Sequence, residues 1–118
     1  MTANGERSSE LVREFAEYAE RWDSLVASSA NRANVVFDRA HEVAKQLRLT
    51  GDGRAGIERL TRHPLPGVRL LAASECLAWA PDIATPVLEE LERGPTLHAV
   101  SAKYTLKEYR SGTLNLDW

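Results

Sequence analysis

From Leu11 to Leu106 apolar side chains recur at steps of three and four, and no stretch between the turn signals alternates like a paired strand. That spacing leaves one way to build a core, which is to pack amphipathic helices face to face. Over 8–28, Leu11, Phe15, Tyr18, Trp22 and Leu25 share one face while Glu10, Glu14, Glu17 and Arg21 share another; Ser8 or Ser9 is expected to cap this helix. A second helix follows Ser28-Ser29-Ala30-Asn31, with Val36, Phe37, Ala40, Val43, Ala44 and Leu47 as its stripe and Gly51 as its terminator.

Asp52 is expected to cap a short third helix around Ala55, Ile57 and Leu60, which stops before His63-Pro64-Leu65-Pro66-Gly67. From Val68 to Ala80 the pattern is apolar nearly all round, which predicts the most buried helix. Pro81-Asp82 opens a fifth helix, closed by Gly94-Pro95; Thr96 caps a sixth, ended by Gly112. Leu114, Leu116 and Trp118 then alternate over a tail that can lie extended on the core. The sequence thus predicts an all-α chain of about six helices. Its 118 residues suffice for one core, organised as an N-terminal pair (8–50), a second unit (52–110) and the tail (111–118).

No apolar run approaches the roughly 18 residues of a membrane span. With 17 acidic against 15 basic residues the net charge is -2, which argues against a general affinity for nucleic acid. The lone Cys76 and a polar Met1 to Ser9 lead to the expectation of a reducing, cytoplasmic setting.

A shift of 29 residues superposes Val68 on Leu97, Ala73 on Ala102 and Leu77 on Leu106, and sets Ala72 against Ser101. Periods of this size mark stacked helical hairpins. The run Ala55-x-Ile57-x-x-Leu60, Pro64-x-Pro66-x-Val68-Arg69-x-x-Ala72-Ala73-x-x-x-Leu77 and Ala84-x-Pro86-Val87-Leu88-x-x-Leu91 resembles HEAT-type repeats. More closely, 55–110 is similar to small bacterial HEAT-like domains of unknown function. The resemblance implies that 52–110 is a repeat pair and that the helices stack as a short right-handed HEAT/armadillo-like superhelix. It implies no active site. Where such repeats carry acids around the first proline of the turn, this chain has His63 and Leu65, so Arg69 is expected to pair elsewhere, with Glu58 or Asp82.

Three motifs invite chemistry. Gly51-Asp52-Gly53-Arg54-Ala55-Gly56 satisfies a dinucleotide-binding spacing, with Glu75 near the ribose-binding distance, but helical periodicity precedes it and Asp52 would face the phosphates. A capped inter-helix turn is the better reading. His41-Glu42-Val43-Ala44-Lys45 has the form of a zinc-protease helix with a lysine in place of the second histidine, and Asp38 with His41 gives two ligands of an unclosed site. Cys76 lies on the apolar fourth helix and reads as a small core hydrophobe. No catalytic residue, cofactor or metal is therefore expected.

Arg48, Arg54, Arg59, Arg62 and Arg69 fall within 22 residues that hold only Asp52 and Glu58 as acids. A non-catalytic module binding a protein or peptide, in an inhibitor or immunity-like role, is the expected function, with Arg54, Arg59, Arg62 and Arg69 on the binding edge. The alternative is a small-molecule-binding or lyase-like accessory domain with a pocket near His63, Arg69 and His98. Trp22, Trp79 and Trp118 read as packing residues unless exposed, when they become binding anchors.

Overall fold

The computed structural model describes residues 3–118; Met1 and Thr2, the first residues of the polar start, lie outside them. Among the described residues there are six helices and no strand: α1 (Ala3–Leu25), α2 (Ala30–Leu47), α3 (Gly51–Leu60), α4 (Pro66–Cys76), α5 (Pro81–Arg93) and α6 (Ala99–Ser111). The fold is all-α, as the spacing predicts. None of these helices is long and apolar enough to cross a membrane.

Several helix starts differ from the sequence reading. α1 begins at Ala3, so Ser8 and Ser9 sit inside it, Ser8 buried and Ser9 Oγ donating back to the Gly5 carbonyl at 3.0 Å. Ser29 caps α2, its Oγ accepting from Arg32 N at 3.4 Å. Gly51 does not end α2, which closes at Leu47; it opens α3, and Thr50 rather than Asp52 is the cap. Thr50 has the extended backbone a cap needs, and its Oγ1 accepts from Gly53 N at 3.0 Å. α6 starts at Ala99 with His98 as its cap rather than Thr96, whose Oγ1 accepts from His98 N at 3.3 Å in the turn before the helix.

α1 is the hub of the N-terminal half and packs on α2, α3 and α4; α4 then packs on α5, and α5 on α6. Eight of the eleven residues of α4 are buried, which makes it the central element the apolar run predicts. Burial agrees at two of the pairs that the 29-residue shift superposes and differs at the others, Ala72 being buried and Ser101 exposed. Ala73 and Ala102 are both fully buried and so are Leu77 and Leu106, whereas Val68 is buried and its counterpart Leu97 is 58% exposed.

The glycine cluster is a packing device. A methyl at Gly53 would overlap the Leu47 carbonyl, and one at Gly56 would overlap the Val12 side chain, so both positions let α3 close onto its neighbours. No strand precedes them, and the dinucleotide reading falls with it. At the far end Gly112 takes φ 77°, and the amides of Thr113 and Leu114 return to the Glu108 carbonyl, which reverses the chain. Leu114 and Leu116 then pack against the core.

Gly51 has open space where a side chain would project, so Gly51→Ala should leave stability unchanged or raise it by up to about 1 kcal/mol. Gly53→Ala should cost about 1–3 kcal/mol, and Ala73→Leu, which overfills the α4 contact, a similar amount. Urea denaturation of the three variants checks the ordering; equal midpoints for the two glycine variants would contradict this packing.

Candidate functional site

Three residues singled out for unrelated reasons meet in one place. His41 on α2, Arg48 at the α2 C-cap and Glu75 on α4 form a buried cluster, with His41 Nδ1 2.8 Å from Glu75 Oε2 and Arg48 Nη2 3.1 Å from Glu75 Oε1. With Glu75 ionised the bond runs from His41 Nδ1–H to the carboxylate, which leaves Nε2 as the ring nitrogen outside it. That Nε2 and Arg48 Nε are both buried without a hydrogen-bond partner. Burial raises the Glu75 pKa above the ordinary glutamate value, and the bonds and charges of His41 and Arg48 pull it only part of the way back.

Glu75 also lines a cleft of about 520 Å³. Its walls come from Trp22 of α1, Phe37 of α2, Leu70, Leu71 and Ser74 of α4, Ser101, Thr105 and Glu108 of α6, and the tail residues Thr113, Leu114, Asn115 and Trp118. The volume is that of a site for a side chain or a small organic molecule. The Trp118 ring lies flat on His41, centroids 3.8 Å apart at 15°, and stacks on Phe37 at 5.7 Å, so the tail covers the buried cluster. Trp22 faces Phe37 at 6.4 Å.

The Trp22 wall is held from behind. His98, 2% exposed, stacks on it at 5.1 Å and donates from Nε2 to Asp23 Oδ1 at 3.0 Å. The same oxygen accepts from Gly67 N at 2.8 Å. Since Leu65, the N-cap of α4, offers no side-chain acceptor, Asp23 supplies the cap from another helix and places its charge at the positive end of α4. A methyl at Gly67 would overlap that carboxylate.

The other expected site residues are spread out. Arg69 pairs with neither Glu58 nor Asp82: its Nη1 donates to the carbonyls of His63 and Pro64, each at 2.9 Å, because the kinked turn aims those unpaired acceptors at it. His63 takes the Leu65 amide on Nδ1 at 3.0 Å and lies 3.3 Å from Glu20. His63, Arg69 and His98 are not among the residues that line the cleft. Arg54 Nε donates to the Arg48 carbonyl at 2.7 Å, whereas Arg59 and Arg62 are exposed and make no ion pair among the described residues. Asp38 is exposed while His41 turns inward, and no three His, Cys, Asp or Glu among the described residues are grouped to hold a metal. Cys76 is fully buried and its thiol pKa is pushed up to about 12, first by burial and then by the charge of Glu58, in keeping with a core role. Trp79 donates from Nε1 to Glu58 at 2.9 Å.

The cleft itself escapes a sequence reading, because its walls come from four helices and the tail. The alternation of Leu114, Leu116 and Trp118 is the one local signal that the tail docks.

A domain of unknown function, DUF2019, matches residues 9–109, most of the chain. The chain belongs to the DUF2019 family. A crystal structure of the protein RPA1889 from Rhodopseudomonas palustris CGA009 is similar at 30% sequence identity and TM-score 0.83, over 92% of either chain. No curated protein matches the chain. The DUF2019 span takes in the His41, Arg48 and Glu75 cluster and every helical wall of the cleft, and it stops before the tail residues that complete it.

Arg48→Met removes the only permanent cation on a buried carboxylate and should cost about 3 kcal/mol; adding Glu75→Gln should restore part of that loss. The pH dependence has a definite sign. Because the folded-state pKa of Glu75 is raised, the folded chain holds this proton more tightly than the unfolded one, so its contribution is greatest at low pH and declines as pH rises through the titration. Denaturation midpoints between pH 4 and 8 should show this decline in the natural chain and lack it in Glu75→Gln.

Proposed function

We propose that this chain is a non-catalytic binding module for a protein or peptide, and that its binding surface is the cleft under the tail. The observation that carries this reading is the lining: Trp22, Phe37 and Trp118 stand open to an accessible cavity of about 520 Å³, where large apolar side chains left in contact with solvent are the usual anchors of an interface. We read the sequential packing of α3 on α4, α4 on α5 and α5 on α6 as a short right-handed HEAT-like stack, an architecture suited to presenting such a groove. The buried single thiol fits a reducing, cytoplasmic setting.

Exposed Arg59 and Arg62 support a second contact at an acidic patch of the partner, acting on encounter more than on final affinity. Arg54 and Arg69 are committed to carbonyls of their own chain and contribute less on this reading.

Ser101 is exposed at the cleft wall, so Ser101→Trp fills the cleft without disturbing the core. A pull-down from the source cells with the natural chain and this variant, compared by mass spectrometry, should find a partner held by the first and lost by the second. Equal capture by both would overturn the cleft as the binding surface. With that partner in hand, Arg59→Glu combined with Arg62→Glu should slow association and flatten its salt dependence while leaving the helical circular dichroism intact.

A further inference from the structure

The charges inside the cleft are all of one sign. Glu75 and Glu108 line it, and no lysine, arginine or histidine does. Glu108 is exposed and its carboxylate makes no ion pair among the described residues. Glu75 is already bonded to His41 and Arg48 from behind, yet it remains a desolvated carboxylate whose pKa is raised, and a further cation in front of it would lower that cost.

The aromatic walls point to the same kind of ligand. The rings of Trp22, Phe37 and Trp118, with neighbouring centroids 6.4 and 5.7 Å apart, form one aromatic wall of the cleft that these carboxylates also line. Rings grouped in this way bind cations through their quadrupoles, and flat rings suit a planar guanidinium, which can stack on one ring while its edge donates to a carboxylate.

Outside the cleft the apolar surface continues along α6. Leu97 just before the helix, then Val100 and Tyr104, are all more than half exposed and fall at steps of three and four, so they lie on one side and adjoin the cleft residues Ser101 and Glu108. A cation seated against the aromatic wall would therefore be flanked by surface suited to leucine-like neighbours.

Resting on the binding-module reading above, we infer that the cleft takes an arginine side chain of a partner peptide, its guanidinium against the wall of Trp22, Phe37 and Trp118 and its edge toward Glu108 and Glu75, with apolar flanking residues on Leu97, Val100 and Tyr104. The partner is thus a basic segment with apolar neighbours.

The test uses acetyl-leucyl-arginyl-leucine amide, its neutral citrulline counterpart and its lysine counterpart, each titrated into the full chain and followed by ¹H–¹⁵N correlation spectra and tryptophan fluorescence. The expected result is that the arginine peptide shifts the indole signals of Trp22 and Trp118 and leaves Trp79 in place. The citrulline peptide should bind at least about fivefold more weakly and the lysine peptide at an intermediate level. Glu108→Gln, a change at an exposed site, should weaken the arginine peptide about threefold while leaving the citrulline peptide unchanged. Trp118→Leu should weaken both arginine and lysine peptides.

Equal affinity of the arginine and citrulline peptides would overturn the cation preference, although the cleft would still bind and the broader reading would stand. Shifts confined to residues away from Trp22 and Trp118 would overturn the cleft as the arginine site. Failure of the broader reading shows separately, in the pull-down with Ser101→Trp.

Discussion

One carboxylate oxygen ties the two halves of the molecule together. Asp23 Oδ1, near the end of α1, accepts from the Gly67 amide at the start of α4 and from the His98 ring at the start of α6. An ionised acceptor at a helix N-terminus is favourable both as a hydrogen-bond partner and as a charge. Each participant depends on the others. Gly67 must lack a side chain for the carboxylate to reach its amide, and His98, once bonded to Asp23, is fixed where it stacks on Trp22. The cleft wall is thus set by a bond on its hidden side, and its precision comes from three helix ends rather than from the cleft itself.

The fold was legible in the sequence because it rests on local periodicity. Steps of three and four revealed the helices, Pro81 marked one helix start and Gly112 the last helix end, whereas Pro66, read as part of a turn, opens α4 two residues before the expected Val68. What went astray was cap assignment, where several hydroxyls and carboxylates compete within a few residues and the winner is decided by backbone geometry. Thr50 took α3 from Asp52 in this way, and Asp23 reached α4 from 44 residues away. The glycine motif was misleading for a related reason. Glycine spacing records that backbones come close, but whether the close neighbour is a phosphate or another helix is a tertiary fact, and here it is α1 and the end of α2.

The site was legible only in fragments. His41, Arg48 and Glu75 each stood out, as part of a zinc-like motif, a basic run and a fingerprint acid, yet all three belong to one buried cluster. Nothing local distinguishes a histidine that turns inward from one that faces solvent, since His41 lies between the stripe and the polar face of α2. The tail resolves the ambiguity, because Trp118 covers the His41 ring and makes that position interior.

These commitments decide what the surface has left to offer. The Cys76 thiol is sealed in the core and strongly disfavours its thiolate, His98 and His41 each bond a carboxylate, and Arg54 and Arg69 hold carbonyls. What remains free around the cleft is aromatic surface, the Ser74 and Ser101 hydroxyls, and the Glu108 carboxylate. Such groups discriminate by shape and by sign of charge. Their geometry depends on the tail as well as on the helices: Leu114, which packs against the core, and Trp118, which stacks on His41 and Phe37, form part of the cleft, so a ligand seated there would also contact the tail. On the proposed reading, ligand binding and tail docking would be linked, and whatever held the tail in place would raise affinity for the ligand by the same free energy by which the ligand secured the tail.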